Sequence, residues 1–269
     1  MAIAPDHVRA RLHSAPLMRR LMSIGIVIAL AITLSIVLGH FANPKNAFDV
    51  QRVSGRVIVS ATINTFSRML LAYILSLLIS IPLAVGIAST PRVQRIFLPI
   101  ADVLQSVPVL AFFPVVVVFF TTYHAFELAA VFVILLTMIW NIVFPVIGGL
   151  QTIPDDINSA ALVFNIRGIR KFWYITLPAI FPFVVTGSLL AWAQGWTVVI
   201  VAEVLHTYIP NGTPSQDLLG LGSLLVDSNA RGDTSIFVAT LCAMIVLVAL
   251  INIVVWQPLL RLAQRFKFD

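Results

Sequence analysis

The side chains in this sequence that could do chemistry are few and scattered. His40, His124 and His206 stand far apart, without the spacing a metal ion requires of its ligands. Cys242 is the only cysteine, so neither an intrachain disulfide nor a thiolate cluster can form. No serine–histidine–acid arrangement or paired-carboxylate site is apparent, and the glycine-rich phosphate loop that ends in Gly-Lys-Ser/Thr is missing. Nothing here supports covalent catalysis, nucleotide hydrolysis or metal chemistry. The chain is read as a non-enzyme without a metal site or cofactor of its own.

What remains is a set of polar groups inside apolar runs, where hydrogen bonds and charge could select or pass a solute. Asp102, Gln105 and Ser106 fall at i, i+3 and i+4 and share one helix face. Pro108 follows, lacks an N–H and frees a carbonyl. These residues read either as a gate or pathway lining, or as a headgroup-level cluster in which Asp102 caps a helix or pairs with Arg95. Arg68 could attract an anionic solute, snorkel to the interface, or pair with Glu203 or Asp49. Trp192, Gln194, Gly195 and Trp196 place polar and bulky groups near the middle of another run. Gln194 could bond a solute, a second subunit or a neighbouring helix. Glu203 ends that run.

The elements that must hold these groups follow from hydropathy. The 269 residues are 59% hydrophobic and 10% charged, against about 25% charged in soluble domains. The predicted class is an all-α integral membrane protein. Six stretches reach the roughly 20 residues a bilayer needs, near 21–39, 63–89, 97–120, 126–149, 179–205 and 234–258. The first follows a basic leader (Arg9, Arg11, Arg19, Arg20) and is longer than a signal-peptide core, so it is read as a retained span. Residues 1–20 are then an N-terminal tail, 21–260 one transmembrane domain, and 261–269 a C-terminal tail. The Lys and Arg bias places both termini in the cytoplasm. The net charge of +6 need not mean nucleic-acid binding, since basic residues of membrane proteins concentrate in cytoplasmic loops; membrane lipid, and not nucleic acid, is the expected partner. The loop 206–233 is outside and turn-rich, with a short helix expected over 215–226 and another over 47–61 at the outer surface.

Residues 155–178, "DDINSAALVFNIRGIRKFWYITLP", interrupt the apolar runs on the cytoplasmic side. Asp155 or Asp156 suits a helix N-terminus, and Ile157, Ala160, Ala161 and Phe164 repeat at helical spacing. Asn165 and Gly168 tolerate left-handed backbone and predict the stop. A second short helix from Ile169 to Thr176 would lead to Leu177-Pro178 and the turn into the next span. On pattern alone this is either a helix for a partner's groove or one resting on headgroups.

The stretch resembles the EAA motif of permease subunits of ATP-binding-cassette importers. Ser159-Ala160-Ala161, Asn165 and Ile175-Thr176-Leu177-Pro178 keep every spacing of that motif, with Ser159 replacing its Glu and Asn165 its Gly. "TFSRMLLAYILSLLISIPLAVGIAST", "PIADVLQSVPVLAFFP" and "LPAIFPFVVTGSLLAWAQGWTVVIVAE" are similar to the second, third and fifth spans of the nitrate/sulfonate/taurine/bicarbonate branch, so the likeness covers roughly 60–260. It implies a type I (MetI-like) permease fold with six spans and a cytoplasmic coupling helix in the loop 151–178. It also implies a bacterial inner-membrane location, a second permease subunit, a cytosolic ATPase dimer that carries ATP and Mg, and a periplasmic or lipoprotein solute-binding protein. The coupling residues would be Asp155, Asp156, Ser159, Ala160, Ala161, Asn165, Gly168, Leu177 and Pro178. The pathway candidates are Arg68, Asp102, Gln105, Ser106, Pro108, Gln194, Trp196 and Glu203. The matched position of Glu203 suggests an outer gate or receptor contact. The competing reading, a secondary transporter or channel without an ATPase, predicts inverted repeats and an intramembrane charge relay, and neither is visible.

Overall fold

The structure is a computed structural model that describes residues 55–123, 125–209, 211–212 and 216–266. The predicted first span at 21–39, its basic leader, Asp49 and most of the 47–61 helix lie outside the described residues. Helix α1 is Gly55–Ala88, α2 Pro91–Ser106, α3 Val109–Thr122, α4 Phe126–Gln151, α5 Asp155–Val163 and α6 Gly168–Lys171. A π-helical turn, Phe172–Thr176, joins α6 to α7, Leu177–Ala202. Then come a 3-10 turn at His206–Tyr208, α8 at Leu221–Ala230, α9 at Thr234–Ile251, a second π turn at Asn252–Trp256 and α10 at Gln257–Ala263. No strand occurs among the described residues.

Four continuous helices are long and apolar enough to cross a membrane: α1, α4, the rod Gly168–Ala202 and the rod Thr234–Ala263. The bent pair of α2 and α3 makes a fifth candidate. Three sequence expectations change. The stretch 97–120 is not one helix but two, bent by 80°. Val107 is extended, at φ −75 and ψ 125, because the ring of Pro108 disfavours helical backbone at the residue before it. The separate outer-surface helix over 47–61 gives way, from Gly55 onward, to the first turns of α1. Pro178 does not start a turn, since Gly168–Ala202 runs as one 35-residue rod. The π turn just before Leu177-Pro178 widens the helix where the proline removes a donor and its ring crowds the preceding carbonyls. The same arrangement recurs where the second π turn precedes Gln257-Pro258.

The core is a three-helix unit of α1, α4 and α7. Arg68 pairs with Glu127, the Ser76 hydroxyl donates to the Leu135 carbonyl at 3.3 Å, and Ser80 donates to Ile139 at 3.1 Å. All three pairs have the same sequence separation of 59, so α1 and α4 run parallel and in register. The contacts of α7 run the other way: Gly149 meets Phe183, Asn141 meets Gly187, and Met138 meets Gly195. Thus α7 lies antiparallel to α4. One end of this unit carries Arg68, Glu127 and Glu203, and the other carries the chain from Gln151 to Leu177.

Close approach between α4 and α7 depends on small residues, as membrane helices commonly require. A Cβ on Gly187 would stand 2.8 Å from the Asn141 carbonyl oxygen and 3.1 Å from the Ile142 Cα. Both are backbone atoms that cannot step aside. Gly148, one residue from the tight Gly149 contact, has open space around it. Gly187→Ala is expected to destabilise the unit by about 1–3 kcal/mol, the usual cost of overpacking. Gly148→Ala should be neutral or stabilising by up to about 1 kcal/mol, because alanine favours helix. Thermal unfolding of the two variants in detergent checks the contrast.

Candidate functional site

At one end of the three-helix unit, Glu203 follows the last residue of α7 and is fully buried. A buried carboxylate is tolerated only when its lone pairs are filled. Its Oε1 accepts from the Thr65 hydroxyl at 2.7 Å and from the Arg68 guanidinium at 2.8 Å, while Oε2 accepts from the Gly222 N–H at 2.7 Å. Arg68 is 5% exposed and also donates to the Leu219 carbonyl at 3.1 Å. Its remaining edge forms a two-bond fork with Glu127, the geometry a planar guanidinium favours. Thr65 relays the network by accepting from the Leu221 N–H at 2.8 Å. The first two amides of α8 are thereby fixed to α1 and to the end of α7. The Glu203 carboxylate also occupies the space that a Cβ on Gly220 would need. A glycine there is required by close approach.

This arrangement resolves two expectations. Arg68 is a structural pair partner of Glu203, and Glu203 is not a solvated helix end. Four hydrogen bonds hold the guanidinium within the protein, two to Glu127, one to Glu203 and one to the Leu219 carbonyl. The sequence reading missed Glu127, Thr65, Gly220 and Gly222. An acidic residue opening an apolar run and a Gly-Leu-Gly after a turn-rich loop were the available signals. Beside the clasp, His206 Nδ1 lies 2.7 Å from an Asp217 oxygen, and the same carboxylate accepts the His206 N–H at 2.9 Å, closing the loop between them.

The other pathway candidates separate into buried and exposed groups. Trp196 is buried in the core beside Trp192, which meets Tyr73 edge-on at 5.6 Å and Trp256 at 6.1 Å. Trp196 therefore packs the unit rather than lining an open surface. Gln194 lies on the opposite, exposed face of α7 with Leu190, Ala193 and Thr197, whose hydroxyl donates back to the Gln194 carbonyl at 2.7 Å. Asp102, Gln105, Ser106 and Pro108 are all exposed around the α2–α3 break, and Ser106 donates to the Asp102 carbonyl at 2.8 Å. The alternative Asp102–Arg95 pair is not formed among the described residues.

At the opposite end, residues 155–178 form a helix, a stop and a rod. Asp155 and Asp156 are the first helical residues of α5, while Pro154 takes the N-cap position, so neither aspartate is the cap. Proline suits the place because no N–H is needed there. The helix ends with two bonds, Asn165 N–H to the Leu162 carbonyl at 3.1 Å and Ile166 N–H to the Ala161 carbonyl at 2.8 Å. This is the Schellman pattern, with Asn165 left-handed at φ 55 and Gly168 at φ 56. Ala161 is buried and Ile157 half-buried, whereas Ser159, Ala160, Leu162, Val163 and Phe164 are exposed. The apolar face predicted from Ile157 to Phe164 is thus split, with half of it turned outward. Ile169, Trp173 and Tyr174 extend this exposed apolar surface onto the rod, while Leu177 and Pro178 are half-buried.

A bundle of long apolar helices, a buried clasp at one end and a protruding capped helix at the other define a multi-pass membrane protein with a polar loop projecting from its core. Residues 76–257 match the family described as "Binding-protein-dependent transport system inner membrane component". The chain belongs to that family, and with its apolar rods it is a multi-pass inner-membrane protein. It is 30% identical over 141 residues to the nitrate import permease protein NrtB of Leptolyngbya laminosa, covering 52% of this chain and 50% of that one. It is 26% identical over 148 residues to the bicarbonate transport system permease protein CmpB of Synechococcus elongatus, covering 55% and 52%. Over 141 residues it is 24% identical to the taurine transport system permease protein TauC of Escherichia coli K12, covering 52% and 50%. All three of these relatives are named as permease proteins, of nitrate import, bicarbonate transport and taurine transport. The chain spans about half the length of the curated relatives it matches.

The clasp makes a graded prediction. Glu203→Ala removes the buried acceptor shared by Thr65, Arg68 and Gly222 and should cost about 3–5 kcal/mol. Glu127→Ala removes a carboxylate that is 61% exposed and should cost about 1 kcal/mol or less. Equilibrium unfolding of the two variants in mild detergent tests the order, and equal losses would contradict the assigned geometry.

Proposed function

We propose that this chain is the transmembrane permease subunit of an ATP-driven importer, and that the helix of residues 155–170 couples it to cytosolic ATPase subunits. The family match carries the importer reading. The coupling reading is supported by a capped helix that projects from the end of α4, keeps a defined stop and exposes small and apolar side chains. The six-span count, with the first span at 21–39 and both termini in the cytoplasm, belongs to this proposal. The partners are a dimer of ATPase subunits that bind ATP and Mg, a second permease subunit and a solute-binding protein. The solute is a small anion of the nitrate, bicarbonate or sulfonate kind, in keeping with the names of the relatives. With Arg68 held by Glu203 and Glu127, recognition within the membrane falls to neutral and acidic groups, Gln194, Gln105, Ser106 and Asp102. Charge selection is then left to the solute-binding protein.

The exposure pattern selects the decisive substitution. Ala161 is buried, so enlarging it would disturb the fold, whereas Ala160 is exposed and can be changed without repacking. Ala160→Glu should leave the melting temperature unchanged and lower retention of a co-expressed ATPase subunit by about tenfold or more, the effect of an unpaired charge in an interface. Affinity purification in detergent with quantitation of the ATPase subunit measures this. Solute uptake by the chain alone in proteoliposomes, indifferent to ATP, would reject the importer reading itself.

A further inference from the structure

Fastening is uneven along α8. At its N-terminus the Leu221 and Gly222 amides and the Leu219 carbonyl are bonded to Thr65, Glu203 and Arg68. In addition, the Leu218 N–H donates to the Glu203 carbonyl at 3.0 Å. Opening this joint would strip the Gly222 donor from the buried Glu203 carboxylate and the Leu219 acceptor from Arg68, while the Arg68–Glu203 pair between α1 and α7 stayed formed. The Glu127 arm and Leu219 reach solvent. At its C-terminus α8 closes in a Schellman stop, Gly232 N–H to the Asn229 carbonyl at 3.1 Å and Asp233 N–H to the Ser228 carbonyl at 2.9 Å, with Gly232 left-handed at φ 70, and Asp233 caps α9 by accepting the Ile236 N–H at 3.2 Å. Helix α9 itself buries only Val238, Thr240 and Ile251. The joint on the α1–α7 side is the one that carries the buried charged groups.

We infer that Arg68 and Glu203 weld α8 to α1 and α7, so that the three move as one body through the transport cycle. Arg68 is then a positioning residue: it holds α8 in place without touching solute. The inference rests on the importer reading for the existence of a cycle, and on the hydrogen-bond geometry for the weld.

A cross-link separates a weld from a gate. Asn64 Nδ2 donates to the Leu219 carbonyl at 3.2 Å across the joint, from the partly open side of α1. In a Cys242→Ser background, Asn64→Cys and Leu219→Cys can be bridged by a short bifunctional methanethiosulfonate reagent, with the bridged peptide quantified by mass spectrometry. ATP turnover of the permease–ATPase complex in proteoliposomes is expected to change by less than about twofold on bridging, since no motion is blocked there. Loss of turnover that dithiothreitol restores would overturn the weld. Amide exchange in the isolated chain provides a second arm. Arg68→Lys keeps the charge and gives up the fork, and should speed exchange of the Leu221 and Gly222 amides by about tenfold or more. Thr65→Val serves if the lysine variant is not recovered, and unchanged exchange would overturn the weld. Failure of any ATPase subunit to co-purify would count against the importer reading alone, because the exchange arm needs no partner.

Discussion

A charge taken out of water must be met by partners that replace its hydration, and at Glu203 that requirement organises one whole end of the protein. The carboxylate draws in the hydroxyl of Thr65, the guanidinium of Arg68 and the amide of Gly222. Those three donors come from two segments far apart in the chain. The identity of Gly220 follows, because the carboxylate fills the place of a side chain there. So does the parallel register of α1 and α4, since the Arg68–Glu127 fork is the first of three contacts at one constant spacing. Buried ion pairs are not in themselves strong stabilisers. Their value here is positional: few other arrangements of these helices would satisfy the same groups.

The two ends of the bundle solve different problems. The clasp end satisfies polar groups internally, as backbone and charge must be where water is scarce. The loop end leaves its groups available. Helix α5 closes its own carbonyls through a Schellman stop and therefore needs no neighbour to hold its shape. Its exposed alanine and apolar side chains can meet another surface without first being freed from this one. Between the ends, α4 and α7 approach closely enough to make a relatively stiff connection through Gly187 and Gly149.

Much of this architecture was readable from local pattern. Hydropathy located the helices of the bundle, and the left-handed tolerance of Asn165 and Gly168 marked the stop of α5. The identity of the residues after the motif's departures mattered as well, since Asn165 keeps the backbone that glycine would provide. What local pattern left hidden was pairing across the chain. Glu127 read as an ordinary helix-opening acid because its partner is 59 positions away. The break at Val107 was signalled by Pro108, yet Pro82, Pro114, Pro145 and Pro182 lie inside helices that continue. Proline alone therefore does not tell a tolerated kink from a break. Trp196 reads as a pathway residue because a bulky polar-tipped ring in a span suggests function, and in the fold it is buried edge-on to Trp192, a packing that the sequence does not display.

The two π turns carry a geometric consequence. Each inserts the equivalent of an extra residue into a helix that otherwise advances about 100° per residue. The angular phase of the rod before Phe172–Thr176 is therefore offset from the phase after it, and a single helical wheel drawn from Gly168 to Ala202 would assign the wrong faces. The offset lets Ile169, Trp173 and Tyr174 turn outward at the stem while Ile180, Gly187 and Ala191 turn inward along the shaft. Loss of the π turn would re-aim the stem by roughly a quarter turn, without changing a single side chain that it exposes.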